Sequence, residues 1–299
     1  MAYDRALHDQ GDITLWISQE ATCAWTPPKV GKRGGQPVYS DLAIETAFTL
    51  RLLFHQPLRQ TEGFLGCVLK LMGWSLPCPD HTTLSRRNAT LELSRLDNRG
   101  AQGPIDLIVD STGLEVCGQG EWHAKKHGEK HRKSWPKLHI SVDDQGWIIA
   151  STVTDDRQQA PSQVPALLAQ VDRQIERFIG AGIYDQEPVY AAVAGHSSGA
   201  KVIIPPRKDA VLSAKAATSP TQRDRHLSEM QRTDQFEWKR TSGYYNQSHA
   251  ENAVSRYKRT FGGGLRAKRD DAQERAASLG CVLLNRLREL GRPQSYPLT

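Results

Sequence analysis

Residues 105–113 read IDLIVDSTG: apolar side chains around Asp106, then a second acid, Asp110, then a Ser-Thr-Gly turn. So short an apolar run, bounded by turn residues, predicts a buried strand. An acid ending such a strand is costly unless it is paired, hydrogen-bonded or holding a cation. Two readings of Asp110 stay open: a strand-end cap on the backbone of Ser111 or Thr112, or a metal ligand. Outward from this strand, Leu114–Cys117, Pro136–Val142 and Trp147–Thr154 predict three more, with Asp143-Asp144-Gln145-Gly146 as a hairpin turn. Residues 162–172 predict a helix with Val164, Leu167, Leu168 and Val171 on its apolar side. Ile175–Ile179 fits either its continuation or a short strand. Pro188–Ala194 predicts a short helix, and Lys201–Ile204 a strand stopped by Pro205-Pro206. Residues 207–243 carry little pattern. Helices are expected at about 246–260 and at 270–290, where Leu279, Val282, Leu283, Leu287 and Leu290 form a stripe.

The first 100 residues differ. Residues 1–40 predict an irregular arm. Residues 41–56 predict a helix with Ser40 as N-cap, Ile44, Phe48 and Leu52 on one face, and Pro57 as its end. Residues 58–73 predict a second, with Phe64, Val68 and Leu71 toward the core and Gly73 as the stop. Asp80 can cap a third, over 81–92. Its Thr82, Thr83, Ser85, Arg86 and Arg87 fit the last helix of a helix-turn-helix, offering hydroxyls and guanidiniums to DNA. The plainer reading is a helical bundle with a solvated polar face. The order predicts a mixed α/β (α+β) chain with a helical module, 1–100, before a second domain, 101–299.

Composition sets the bounds. The 299 residues are 38% hydrophobic, enough for a packed core, and carry a net charge of +6. The charge is uneven: +1 over 1–95, −4 over 96–200 and +9 over 201–299. An acidic middle beside a basic end suggests a carboxylate site next to a polyanion-binding surface. No 18-residue apolar run exists, so no membrane span is expected. The N-terminal residues lack a secretory pattern, and five scattered cysteines without a C-x-x-C argue against disulfides and zinc fingers. A cytoplasmic protein is expected. In the basic stretch 120–137, Trp122 and Trp135 flank Lys125, Lys126, Lys130, Arg132 and Lys133, with Lys137 following. Cations interleaved with stacking surfaces suit nucleic acid. His123, His127 and His131 have helical metal-ligand spacing, but the surrounding cations disfavour metal. Tyr244, Glu251 and Lys258, seven apart, share one face of the 246–260 helix, which also reads as an ordinary surface helix. The Gly-rich turn 179–190, with Asp185, reads alone as a connecting loop.

Taken together, the segments YSDLAIETAFTLRLLFHQPLRQTEGFL (39–65), PDHTTLSRR (79–87), VDSTGLEVCGQGEWHAKKHG (109–128), SWPKLHISVD (134–143), VIIPPRKDA (202–210), YYNQSHAENAVSRYK (244–258) and LLNRLRELGRP (283–293) resemble the DDE transposases of bacterial insertion sequences, of the type named for insertion sequence five. The resemblance implies a ribonuclease-H-like core, with Ile175–Ile179 as its fourth strand, and a site in which Asp110 and Glu251 hold metal. In the family signature Tyr244, Glu251 and Lys258 match, while Gln247 stands where arginine is usual. The middle aspartate slot aligns with Ala181, in Ala181-Gly182-Ile183-Tyr184-Asp185, which leaves Asp185 as a fallback ligand. Further implications are two Mg²⁺ ions (Mn²⁺ able to substitute), cleavage at terminal inverted repeats with strand transfer into target DNA, and a homodimer on the nucleoid. Tyr244, Gln247 and Lys258 would lie against DNA. Ala181 implies an impaired enzyme, by deliberate substitution or by natural decay. The alternative is a non-catalytic, sequence-specific DNA-binding protein derived from a transposase.

Overall fold

The computed structural model describes residues 17, 22–29, 31, 36–93, 96, 103–116, 135–207, 209–267 and 269–290. The chain divides into two compact units: Met1–Ser94 with Val116–Glu121 and Thr260–Thr299, and Arg95–Glu115 with Trp122–Arg259. The C-terminal residues thus group with the N-terminal helices, whereas the sequence suggested a single cut near residue 100.

The second unit is built on a five-stranded sheet. Its strands are β1 (Ile105–Gly113), β2 (Lys137–Val142), β3 (Ile148–Thr154), β4 (Ile175–Gly180) and β5 (Lys201–Ile203), in the order β3-β2-β1-β4-β5. β1–β2 and β2–β3 run antiparallel, and β1, β4 and β5 run parallel. This is the mixed sheet of a ribonuclease-H-like core, and the segment ambiguous by periodicity, Ile175–Ile179, is its fourth strand. The β2–β3 hairpin is set by Asp143, whose carboxylate accepts from the Gln145 and Trp147 N–H groups at 3.0 and 2.8 Å, and by Gly146 at φ +75°. Leu107, Val109, Ile149 and Phe178 form one apolar face of the sheet. Val164, Leu167 and Leu168 of α4 (Val164–Leu168) and Val189 and Val193 of α5 (Glu187–His196) belong to the same core. The helix expected over 162–172 is shorter: a 3₁₀ turn, Ala160–Gln163, leads into five α-helical residues. The strand expected at Leu114–Cys117 is only Glu115–Val116.

Two helices fill the stretch that showed little pattern: α6 (Gln222–Arg232) and α7 (Gln235–Ser242). α6 opens with a capping box in which Thr221 and Asp224 satisfy each other's backbone N–H groups. That pair was the available sequence signal. Gly243, at φ +82°, ends α7, and a Cβ there would stand 3.1 Å from the Arg177 guanidinium. A 3₁₀ turn, Tyr244–Gln247, then enters α8 (Ser248–Phe261).

The first unit holds α1 (Asp41–Leu53), α2 (Leu58–Leu71), α3 (His81–Arg87) and α9 (Asp270–Leu290). Ser40 caps α1 as expected, accepting from Ala43 N–H at 3.1 Å. α2 turns a different face inward from the one expected. Thr61, Leu65, Val68 and Leu69 are buried, while Leu71 is 82% exposed and Phe64 packs against Phe54. Thr61 takes the inner position because its hydroxyl donates to Pro57 O at 3.0 Å, so the polar atom is satisfied. α3 ends at Arg87 rather than at 92.

Between β1 and β4, Asp106 (side chain 5% exposed) accepts two hydrogen bonds from Arg177, one of them from Nε at 2.8 Å. Replacing Asp106 with alanine leaves that guanidinium without its acceptor. The expected loss is about 2–3 kcal/mol, the low end because Arg177 is one-third exposed. A fall in urea midpoint with an unchanged m-value checks this.

Candidate active site

The site forms where β4 ends beside the continuing β1. Their parallel register pairs Val109 with Gly180, the last residue of β4, so Asp110 follows within β1 and Ala181 follows just past the end of β4. A Cβ at Gly180 would lie 3.1 Å from the Tyr184 ring and 3.2 Å from Val109. The glycine therefore lets Tyr184 close beneath the strand ends. Its hydroxyl is held well above the usual phenol range by burial, then by the Asp110 charge.

The third piece comes from far along the chain. Gln247, 2% exposed, donates its side-chain N–H to the Val109 carbonyl at 3.0 Å. This fastens the start of α8 to β1 one residue before Asp110. Glu251, one turn further, comes within electrostatic range of Asp110. The Asp110 carboxyl is pushed above its ordinary range by burial first, with the Glu251 charge adding to the rise. A hydrogen bond from Ser111 N–H at 2.8 Å opposes it. So the cap reading of Asp110 holds for one oxygen, and the electrostatic neighbour is a like charge. Tyr244 lies alongside, its hydroxyl raised by burial and by both acids. Lys239 sits over the Tyr244 ring at 5.3 Å, and the buried Trp238 lies 6.3 Å from it.

Other expected site residues are placed as follows. Glu251 and Lys258 are both exposed on α8. Gln247, expected against DNA, is spent inside on Val109. Asp185 is fully enclosed: Arg223 donates to its two oxygens at 2.8 and 3.1 Å, and Tyr190 donates at 3.4 Å. That carboxylate already has its cation. Thr82 and Thr83 give their backbone N–H groups, each at 2.8 Å, and their hydroxyls to Asp80, whose carboxyl is held down at about 2 mainly by those bonds. Arg87 is committed to Asp41 at 2.6 Å and to Tyr39 O at 2.9 Å; Thr82, Ser85 and Arg86 are the exposed polar residues of α3. Lys137 donates to the Asp156 and Gln158 carbonyls at 2.9 and 3.0 Å. Trp135 is 37% exposed. Trp122, Lys125, Lys126, Lys130, Arg132 and Lys133, with His123, His127 and His131, lie outside the described residues. The sequence reading missed Arg223, which neutralises Asp185, and Trp238, which backs Tyr244. Both lie in the stretch without a clear period.

A family model described as Transposase DDE domain matches residues 101–286, and a second of the same description matches residues 8–119. The chain belongs to the DDE transposase family. This is a family of DNA-processing enzymes whose members use divalent metal ions, and DNA is the substrate class it implies. No helix among the described residues is long and apolar enough to cross a membrane. For a transposase the residues at the strand ends fit a hard cation. Two carboxylates meet there, and neither has a salt bridge among the described residues. Carboxylate oxygens are the donors that Mg²⁺ prefers. The set stops at two, since no group of three or more His, Cys, Asp or Glu gathers among the described residues.

The raised Asp110 carboxyl fixes a pH dependence. A group whose folded pKa exceeds its unfolded value binds more protons when folded. Stability from this group is therefore present at low pH and lost as pH rises through its unfolded and then its folded pKa. Asp110→Asn, which cannot ionise, is expected to melt above wild type near pH 7 without metal. The gap should close toward about pH 4. Thermal unfolding across that range checks both the sign and the window.

Proposed function

We propose that this chain is an insertion-sequence transposase of the type named for insertion sequence five, impaired in catalysis because Ala181 fills the slot of its middle aspartate. The observation that carries this reading is that Ala181 directly follows the end of β4 where Asp110 follows the paired Val109 on β1, with Glu251 brought in by α8. Asp110 and Glu251 would hold divalent ions (Mg²⁺, with Mn²⁺ able to replace it), which would supply activation of water or a 3′-hydroxyl and stabilisation of the leaving oxygen in an in-line displacement. Tyr244 presents its ring beside the cleaved end, and Lys258, exposed two turns along α8 from Glu251, supplies a point charge for the terminal phosphate. The basic loop 120–137 and the α3 surface with Ser85 and Arg86 hold flanking DNA. The recognised DNA is the element's terminal inverted repeats. Joining two ends in concert calls for a homodimer on the nucleoid. Asp185 does not take the empty slot, because its fully enclosed carboxylate is already paired with the half-buried Arg223.

Ala181 also favours the second reading, a transposase-derived protein that binds its DNA site without cutting it. The two part on one substitution. Ala181→Asp is expected to bring Mg²⁺-dependent nicking of terminal-repeat DNA up by at least about a hundredfold, the worth of a few kcal/mol of metal-held transition-state charge. Adding Asp110→Asn should remove that gain. Tight binding with no nicking by the aspartate variant would establish the binding protein instead.

A further inference from the structure

The first unit carries charge of the opposite sign in a site of its own. Arg51, on α1, and Arg275, on α9, line one narrow cleft together with Asn88 and the apolar side chains of Phe48, Leu91 and Leu279. Both arginines bury an Nε–H that has no acceptor. Arg275 already donates its two terminal nitrogens to backbone carbonyls, to Leu91 at 3.0 Å and to Ala89. Arg51 has no carboxylate among the described residues. Burial, then the charge of Arg266, lowers its affinity for its own proton. The acids of the unit that pair are taken elsewhere: Asp41 by Arg87 at 2.6 Å, Glu62 by His81 at 2.9 Å, Asp271 by Arg269 at 2.8 Å, and Glu45 by Arg286 at 3.8 Å.

Arg275 has the Asp271 charge within range, but a half-buried guanidinium without a counter-charge, as at Arg51, is unfavourable, and the nearby Arg266 charge makes it more so. The arrangement needs an anion. The Arg51 fork and the remaining Nε–H of Arg275 come from different helices and call for acceptors in more than one direction, which a tetrahedral oxyanion offers. The cleft is narrow, which leaves no room for a large ligand. We propose that Arg51 and Arg275 form a site for a single phosphate group, supplied by a DNA backbone or by free phosphate. The DNA source rests on the transposase reading; the site itself does not.

The test is thermal unfolding of the full chain in inorganic phosphate against chloride at equal ionic strength, for wild type and Arg51→Met. Wild type should gain roughly 5 °C at a hundredfold excess of phosphate over its Kd. Arg51→Met should show no phosphate response and should melt no lower than wild type in chloride, because it removes an uncompensated charge. A merely structural arginine would melt lower. Should Arg51→Met fail to fold, Arg51→Lys, which keeps charge but loses the fork, should fold with a weakened response. The salt dependence of duplex binding separates the sources. A slope reduced by about one in the variant assigns the phosphate to DNA. An unchanged slope with the phosphate response lost assigns it to the free anion. A wild type no more stabilised by phosphate than by chloride, or a variant that keeps the full response, overturns the site.

Discussion

One hydrogen bond joins residues 138 apart in sequence: Gln247 to the carbonyl of Val109. Val109 ends the buried part of β1, and Asp110 follows it. Gln247 ends the 3₁₀ turn, and Glu251 lies in the first turn of the helix beyond. The separation of the two acids is therefore set by a fully enclosed amide on a strand carbonyl, where an unmade bond would be costly. The other pieces rest on the same strand. Gly180 brings Tyr184 against Val109, and Asp106 ties β1 to Arg177 of β4.

The parts of the fold with a strong period were legible. The IDLIV run, the PKLHISV and WIIASTVT strands and the Ser40 cap all stand where the residues put them. Ile175–Ile179 was ambiguous because a buried parallel strand alternates no more than a buried helix does. α2 misled because its inner face includes Thr61, which a count of apolar residues passes over. α6 and α7 were missed because their stability comes from caps and one buried apolar residue each, Leu227 and Trp238, rather than from a stripe. For the site, Asp110 and Glu251 could be named from the sequence, but not the partners that define their neighbours. That Gln247 turns inward and that Asp185 belongs to Arg223 depend on contacts between distant segments, which no local pattern encodes.

Charge organises both units in the same way. Several buried or half-buried ions among the described residues are paired: Asp106 with Arg177, Asp185 with Arg223, Glu45 with Arg286. Two places stand out against that habit. Beside the end of β4, Asp110 and Glu251 lie within electrostatic range of each other and neither has a salt bridge among the described residues; in the cleft lined by α1 and α9, Arg51 has no carboxylate among the described residues. Each imbalance costs folding energy that pairing elsewhere shows the chain can avoid. Sites built to take an ion from solution or from DNA carry that cost. The net charge of +6 hides this, because the two imbalances have opposite sign.

The central claim is that Asp110 and Glu251 jointly form a divalent-cation site whose third ligand position is residue 181. Calorimetric titration of Mn²⁺ into wild type, Asp110→Asn, Glu251→Gln and Ala181→Asp tests it most directly, without DNA or turnover. The account predicts weak saturable binding in wild type, none in either of the first two variants, and tighter binding in the third. Equal binding across all four proteins would contradict it.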